Sequence, residues 1–303
     1  MQLLKKLTGI HAPSGNEEAM TGFLLNYIHA NSEKWKVQPK IFSGDGFQHC
    51  IVLVFGKPKT AVFAHIDSIG FTVRYNNQLV KIGGPHIEKG IKLTGADSKG
   101  KIECVLMTDE DENLKCGFDR EIDRGTDLVF KADFREEKNF VQSNYLDNRL
   151  GVWVALRLCE TLENGAIAFS CWEEHGGGSA GYLAKFLYEK HKVKQALISD
   201  ITWITEGVVH NKGVVVSMRD MGIPRRAFVD KIISILKKEK VQFQLEVEKS
   251  GGSDGTELQK IPYPIDWCFV GAAEDFVHSP NEKVHKKDIE SMLDAYRVLM
   301  KRL

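Results

Sequence analysis

Ala166-Ile167-Ala168-Phe169-Ser170-Cys171-Trp172-Glu173-Glu174-His175-Gly176-Gly177-Gly178 joins a short apolar run to two adjacent carboxylates and a glycine-rich turn. The run has the length and bounds of a buried strand. Beyond the turn, Tyr182-Leu183 and Phe186-Leu187 stand at helical spacing. In open α/β sheets, ligands bind outside the carboxyl ends of the strands, where this Glu-Glu pair would sit. Neighbouring carboxylates repel unless a cation or a shared proton relieves them. A solvated acidic turn is the bland alternative, and the rest of the chain decides between the two.

Upstream, Ser14-Gly15-Asn16-Glu17 has the form of a capping box, with Ser14 as N-cap, ahead of a helix face made by Met20, Phe23, Leu24, Tyr27 and Ile28. Residues 50–55 and 60–64 read as strands joined by the turn Gly56-Lys57-Pro58-Lys59. The second strand leads into Ala64-His65-Ile66-Asp67-Ser68-Ile69-Gly70. There the alternation with apolar residues lets His65 and Asp67 share one face. From about 71 to 140, short β-like runs alternate with turns and no amphipathic helix is visible, so a β-rich insert is expected there.

Downstream, Asn144-Tyr145-Leu146-Asp147-Asn148-Arg149-Leu150-Gly151 opens a helix whose apolar face continues through Val152, Leu156, Cys159 and Leu162. Asp147 falls at its start, where a carboxylate favours the helix dipole. The run 196–199 ends in Asp200. Strands over 213–218, 242–247 and 265–271 follow, with a helix after Pro224. Phe276-Val277-His278-Ser279-Pro280 then precedes a last helix with Ile289, Met292, Leu293, Tyr296 and Leu299 inward.

The chain has 303 residues, enough for a sizeable core, and its 41 acidic and 41 basic side chains cancel. That balance argues against nucleic acid or an anionic membrane as partner. No apolar stretch approaches the roughly 20 residues of a membrane span, and the first residues lack the apolar run of a signal peptide, so a cytoplasmic protein is expected. Six scattered cysteines without C-x-x-C spacing suggest free buried thiols.

His65, Asp147, Glu174, Asp200 and His278 share one property: each sits at the end of a predicted strand or the start of a helix. The carboxyl edge of a parallel sheet gathers such positions into one crevice. Two imidazoles and three carboxylates suit two divalent ions, zinc, cobalt or manganese, and one carboxylate must bridge them. Glu173 is then left beside the ions to take a proton from bound water, and Asp67 is spaced to fix the second nitrogen of His65.

The joint order of these motifs resembles the tetrahedral co-catalytic metallo-aminopeptidases, the glutamyl and deblocking aminopeptidases sometimes labelled endoglucanases. The resemblance rests on Ala64-His65-Ile66-Asp67-Ser68-Ile69-Gly70, Leu146-Asp147-Asn148-Arg149-Leu150-Gly151, Glu173-Glu174-His175-Gly176, Ser199-Asp200, Gly251-Gly252-Ser253-Asp254 and His278-Ser279-Pro280, and spans nearly the whole chain. It implies an α/β metallopeptidase core, a mixed sheet with helices on both faces, over 1–70 and 141–303, with a small β-barrel inserted over 71–140. It implies that His65, Asp147 and Asp200 hold one ion, and Asp147, Glu174 and His278 the other. Asp147 would bridge, Glu173 would be the general base, and Asp67 would stand behind His65. It further implies N-terminal residues cleaved from short peptides by a metal-bound hydroxide, and a homo-oligomer, usually a twelve-subunit shell. Ser68, His175-Gly176-Gly177-Gly178 and Ser253 depart from the usual family residues.

Two other readings compete. Gly177-Gly178-Ser179-Ala180-Gly181 matches the serine-hydrolase pattern G-x-S-x-G, though Gly251-Gly252-Ser253-Asp254-Gly255 matches it as well. A catalytically degenerate oligomeric binding protein on the same scaffold is the non-enzymatic alternative.

Overall fold

A computed structural model describes residues 1–303. Four parallel strands, Gly165–Ser170, Thr60–His65, Gln195–Ile198 and Asp266–Asp275, lie side by side in that order at the centre of a mixed 12-stranded sheet. Thr60–His65 and Gly165–Ser170 are buried at every position, so they read as unbroken apolar runs rather than alternating ones. Gln48–Phe55 flanks them antiparallel to Gly165–Ser170. It does not pair with Thr60–His65, although only the turn at 56–59 separates them; the later strand slips between.

Asp266–Asp275 is the spine of the sheet. Its first residues pair with Gln195–Ile198, and its later ones meet Ile201–Trp203, Val214–Arg219 and Glu282–His285. Helices cover both faces of the sheet. Leu146–Cys159, Arg226–Lys238 and Lys286–Arg302 pack together, and Ser179–His191 pairs with Asp254–Lys260. The inward set of the last helix, Ile289, Met292, Leu293, Tyr296 and Leu299, is buried throughout.

The segment between the early and late strands folds as a separate six-stranded antiparallel sheet in the order Leu79–Ile82, Gly70–Val73, Asp127–Phe130, Lys92–Asp97, Gly100–Thr108, Leu114–Gly117. A bridge between Gln78 and Lys115 brings its two ends together and nearly closes a barrel. Gly100–Thr108 alternates buried and exposed residues, as a strand with one wet face must. Phe71, Leu93, Leu106, Leu128 and Phe130 form a core of their own, with the Phe71 and Phe130 rings edge-on at 6.1 Å. The chain re-enters the large sheet with Arg135–Glu136 and Phe140–Ser143, the latter paired with Glu282–His285.

Two sequence expectations fail locally. Cys104 and Cys116, on neighbouring strands of the barrel with Cα atoms 6.0 Å apart, form a disulfide; Cys50, Cys159, Cys171 and Cys268 are free and buried. Ser14 does not cap a helix. The helix begins at Glu18, and the Ser14 hydroxyl instead donates to Asp67 Oδ2 at 2.6 Å.

Candidate metal centre

The carboxyl ends of the parallel strands deliver the side chains. His65 closes Thr60–His65, Glu173 and Glu174 follow Gly165–Ser170, Asp200 follows Gln195–Ile198, and His278 follows Asp266–Asp275. Asp147 arrives from the opposite direction, in the first turn of Leu146–Cys159, where the Asp147–Asn148 peptide is cis. The Asn148 side-chain amide donates to Ser199 O at 2.8 Å and ties this turn to the Asp200 strand. Gly151 makes the approach feasible, since a Cβ there would lie 2.1 Å from Ser199 O. Tyr145, Trp172, Phe276 and His278 all hold positive φ. Left-handed non-glycine residues gather where surrounding packing over-determines the backbone, commonly at functional sites.

His65 Nε2 lies 3.2 Å from Asp147 Oδ1, 3.6 Å from Asp200 Oδ1 and 3.9 Å from Glu173 Oε2. His278 Nε2 lies 3.3 Å from Asp147 Oδ2 and 3.0 Å from Glu174 Oε2. Each oxygen of Asp147 thus faces a different imidazole. A tetrahedral ion with bonds of about 2.0–2.1 Å places its ligand atoms about 3.3–3.4 Å apart. The distances from His65 to Asp147 and Asp200, and from His278 to Asp147 and Glu174, cluster around that value. Glu174 Oε1 is buried without a hydrogen-bond partner. A buried carboxylate oxygen without a donor is costly unless a cation meets it. The donor set therefore fits divalent ions.

The electrostatics agree. Burial pushes Glu173 well above the ordinary carboxylate range and raises Glu174 and Asp200 as well. Burial works against a charged His65, but Asp200, Asp147 and Asp67 outweigh it and carry its pKa well above the ordinary value. Burial likewise works against a charged His278, but Glu174 and Asp147 outweigh it and raise its pKa.

Asp67 is fully buried behind His65, with Oδ1 3.3 Å from Nδ1 but off line for a hydrogen bond. Its carboxylate accepts the backbone N–H of Glu173 at 3.2 Å and of Glu174 at 3.1 Å. Arg149, also fully buried, donates to the carbonyls of Ile66 and Asp67. Sequence reasoning missed Glu282, whose two oxygens accept the backbone N–H groups of Asp147 at 3.1 Å and His278 at 3.0 Å. Its one signal was its place four residues after His278. The barrel contributes too: Gly83 N donates to His175 Nδ1 at 3.0 Å, Gly84 O lies 3.2 Å from His278 Nδ1, and a Cβ on Gly83 would strike Glu174 O at 2.8 Å.

Ser179 is buried, and its hydroxyl both donates to Cys171 O and accepts from Cys171 N at 2.8 Å. Ser253 caps the helix Asp254–Lys260 by accepting from Gly255 N. Both serines of the G-x-S-x-G matches are thus committed to backbone geometry.

A model of the M42 glutamyl aminopeptidase family matches residues 102–294. A curated protein of Acetivibrio thermocellus, named only provisionally as an aminopeptidase, is 25% identical over 323 positions covering 95% of this chain and 94% of that one. Among solved structures, an aminopeptidase from the archaeon Desulfurococcus kamchatkensis superposes with a TM-score of 0.85 at 20% identity, over 100% of this chain and 94% of that one. The TET1 peptidase of Pyrococcus horikoshii, which can assemble into a tetrahedron or a large octahedral shell, gives a TM-score of 0.81 at 22% identity, over 100% and 99%. The structural likenesses concern the fold, including its nearly closed barrel.

Proposed function

The chain belongs to the M42 glutamyl aminopeptidase family, and from that premise we propose that it removes the N-terminal residue from short peptides at a centre for two divalent ions. His65, Asp147 and Asp200 would hold one ion, and Asp147, Glu174 and His278 the other, with zinc, cobalt or manganese as candidates. The observation that carries this reading is the split of Asp147, Oδ1 toward His65 and Oδ2 toward His278.

When bound, such ions supply Lewis acidity toward the scissile carbonyl and lower the pKa of water from 15.7 to about 7. The remaining work falls to the protein. Glu173 makes no hydrogen bond through its carboxylate and lines the cavity, so its Oε2 is free to take a proton from water and return it to the leaving amine. Asp67 stands behind His65 and fixes the backbone of both glutamates. Glu282 holds Asp147 and His278 by their N–H groups. The barrel segment, read as an insert over 71–140, supplies the Gly83-Gly84 edge of the site.

A homo-oligomer, twelve-subunit by the earlier resemblance, is the assembly we propose; light scattering at micromolar concentration tests it. The catalytic reading is tested by hydrolysis of aminoacyl chromogenic amides. Activity that disappears with a chelator and returns with added metal supports it. Sensitivity to a serine reagent alone, or cleavage confined to N-terminally blocked peptides, would refute it.

A further inference from the structure

The cavity at the centre, about 290 Å³, runs on past the proposed ligands. That is near the lower end of small-molecule pockets. It is lined by Asp147, Glu173, Glu174, Asp200 and His278, and also by Asp220, Glu246 and Glu248. Asp220 is 7% exposed and Glu246 3% exposed. Near the proposed ligands, two imidazoles face the carboxylates. No lysine, arginine or histidine forms an ion pair with Asp220, Glu246 or Glu248; the nearest positive charge, Arg219, acts on Asp220 without pairing with it. Asp220 uses Oδ1 to accept from Gly222 N, and Glu246 uses Oε1 to accept from Thr202 Oγ1. Ser217 also lies beside the Glu246 carboxylate, and Asp220 Oδ2 accepts no protein hydrogen bond.

Buried carboxylates without a cation are expensive, and the half-buried Glu248 beside Asp220 and Glu246 compounds the cost. Burial raises both Asp220 and Glu246, and Asp220 and Glu248 add repulsion at Glu246. The apolar part of the lining is Ile201, Trp203, Phe269 and Val277. Trp203 lies over Gly251, where its ring would be 3.5 Å from an added Cβ. Such a channel suits a side chain with a long aliphatic stem and a cationic tip, because the stem covers apolar surface while the head meets the acids.

Resting on the aminopeptidase reading of the centre, we propose that Asp220, Glu246 and Glu248 form the specificity subsite for a lysyl or arginyl N-terminal residue. A glutamyl side chain would meet three carboxylates and be rejected, which sets this chain apart from the description its family carries.

The test uses the metal-loaded full chain and a panel of aminoacyl coumarinamides. Lysyl and arginyl substrates should exceed leucyl and glutamyl ones in kcat/KM by about tenfold or more, the scale of a charge-assisted contact. Glu246→Gln should lower the lysyl-to-leucyl ratio by about ten- to a hundredfold. Glu248→Gln, at a half-buried position tolerant of change, should lower the same ratio, and Glu248→Lys should raise the relative use of the glutamyl substrate. A wild-type preference for leucyl or glutamyl substrates would overturn the proposal, as would a ratio unmoved by Glu246→Gln and Glu248→Gln. If no substrate is cleaved, the aminopeptidase reading fails on its own, and the subsite is read by calorimetry. L-lysinamide binding more tightly than L-norleucinamide would then uphold the acidic subsite, and equal binding would overturn it.

Discussion

Asp67 accepts the backbone N–H of Glu174 at 3.1 Å, so the carboxylate behind His65 also fixes the turn that presents the Glu-Glu pair. Ser14 completes its shell with a 2.6 Å hydrogen bond from across the chain. Asp67→Asn keeps the volume but trades one acceptor oxygen for an NH₂ group that meets N–H and O–H donors. Removing a partner behind a metal-binding histidine typically costs about 10–100-fold in metal affinity or activity. Zinc or cobalt titration of Asp67→Asn should fall in that range. An unchanged affinity would show that Asp67 only holds the fold.

Tyr145 links the barrel to the centre. Its ring stacks on Phe130 at 5.9 Å, and its hydroxyl oxygen accepts the Phe130 N–H at 2.5 Å, with both groups buried. Tyr145→Phe leaves that N–H without a partner, which costs about 1–3 kcal/mol. The urea midpoint should drop accordingly. A variant as stable as the wild type would mean that another acceptor has reached the amide.

Why some of this was legible in the sequence follows from the sheet. His65 ends a buried strand, and Glu174, Asp200 and His278 each come within four residues of the end of one; parallel strands bring their carboxyl ends to one edge, so linear position stood in for proximity. Glu282 opens the strand Glu282–His285 and Asp220 follows Val214–Arg219, and both strands run antiparallel to Asp266–Asp275, so linear position does not announce which edge they reach. Glu246 lies on Phe243–Val247, whose parallel pairing with Val214–Arg219 no local pattern announces. The Cys104–Cys116 bond depends on the register of one hairpin, which residue types alone do not set. Ser14-Gly15-Asn16-Glu17 was misread for a related reason. The Glu17 carboxylate turns back to Gly15 N within the loop, while Ser14 answers a residue 53 positions away.

Asp254 gives a pH dependence with a definite sign. It is fully buried, accepts a hydrogen bond from Ser170, and burial pushes its carboxyl up to about 7. Below about pH 4 the folded and unfolded chains both keep this proton, and nothing is lost. As pH rises toward 7 the unfolded chain ionises first, so stability declines through that window and levels off above it. Asp254→Asn removes the ionisation. In metal-free protein it should match the wild type near pH 4 and exceed it at pH 8 by up to about 4 kcal/mol, from roughly three units at 1.36 kcal/mol each. Urea midpoints at the two pH values decide it, and an equal gain at both would point to packing instead.

Glu173 and Glu174 are neighbours that should fail differently. Glu174 sits 3.0 Å from His278 Nε2, with its other oxygen buried and unpartnered, as a ligand position requires. Glu173 has no side-chain hydrogen bond, and its nearest imidazole nitrogen is 3.9 Å away. Glu173→Gln preserves shape and removes the base, so it should retain two ions per chain while turnover falls by about 10²–10⁴-fold. Glu174→Gln should lose one ion, and high metal concentration should partly restore activity. Elemental analysis after dialysis, paired with turnover on one aminoacyl substrate, separates the two. Near-normal turnover in Glu173→Gln would move the base to another residue, and full metal content in Glu174→Gln would remove it from the ligand set.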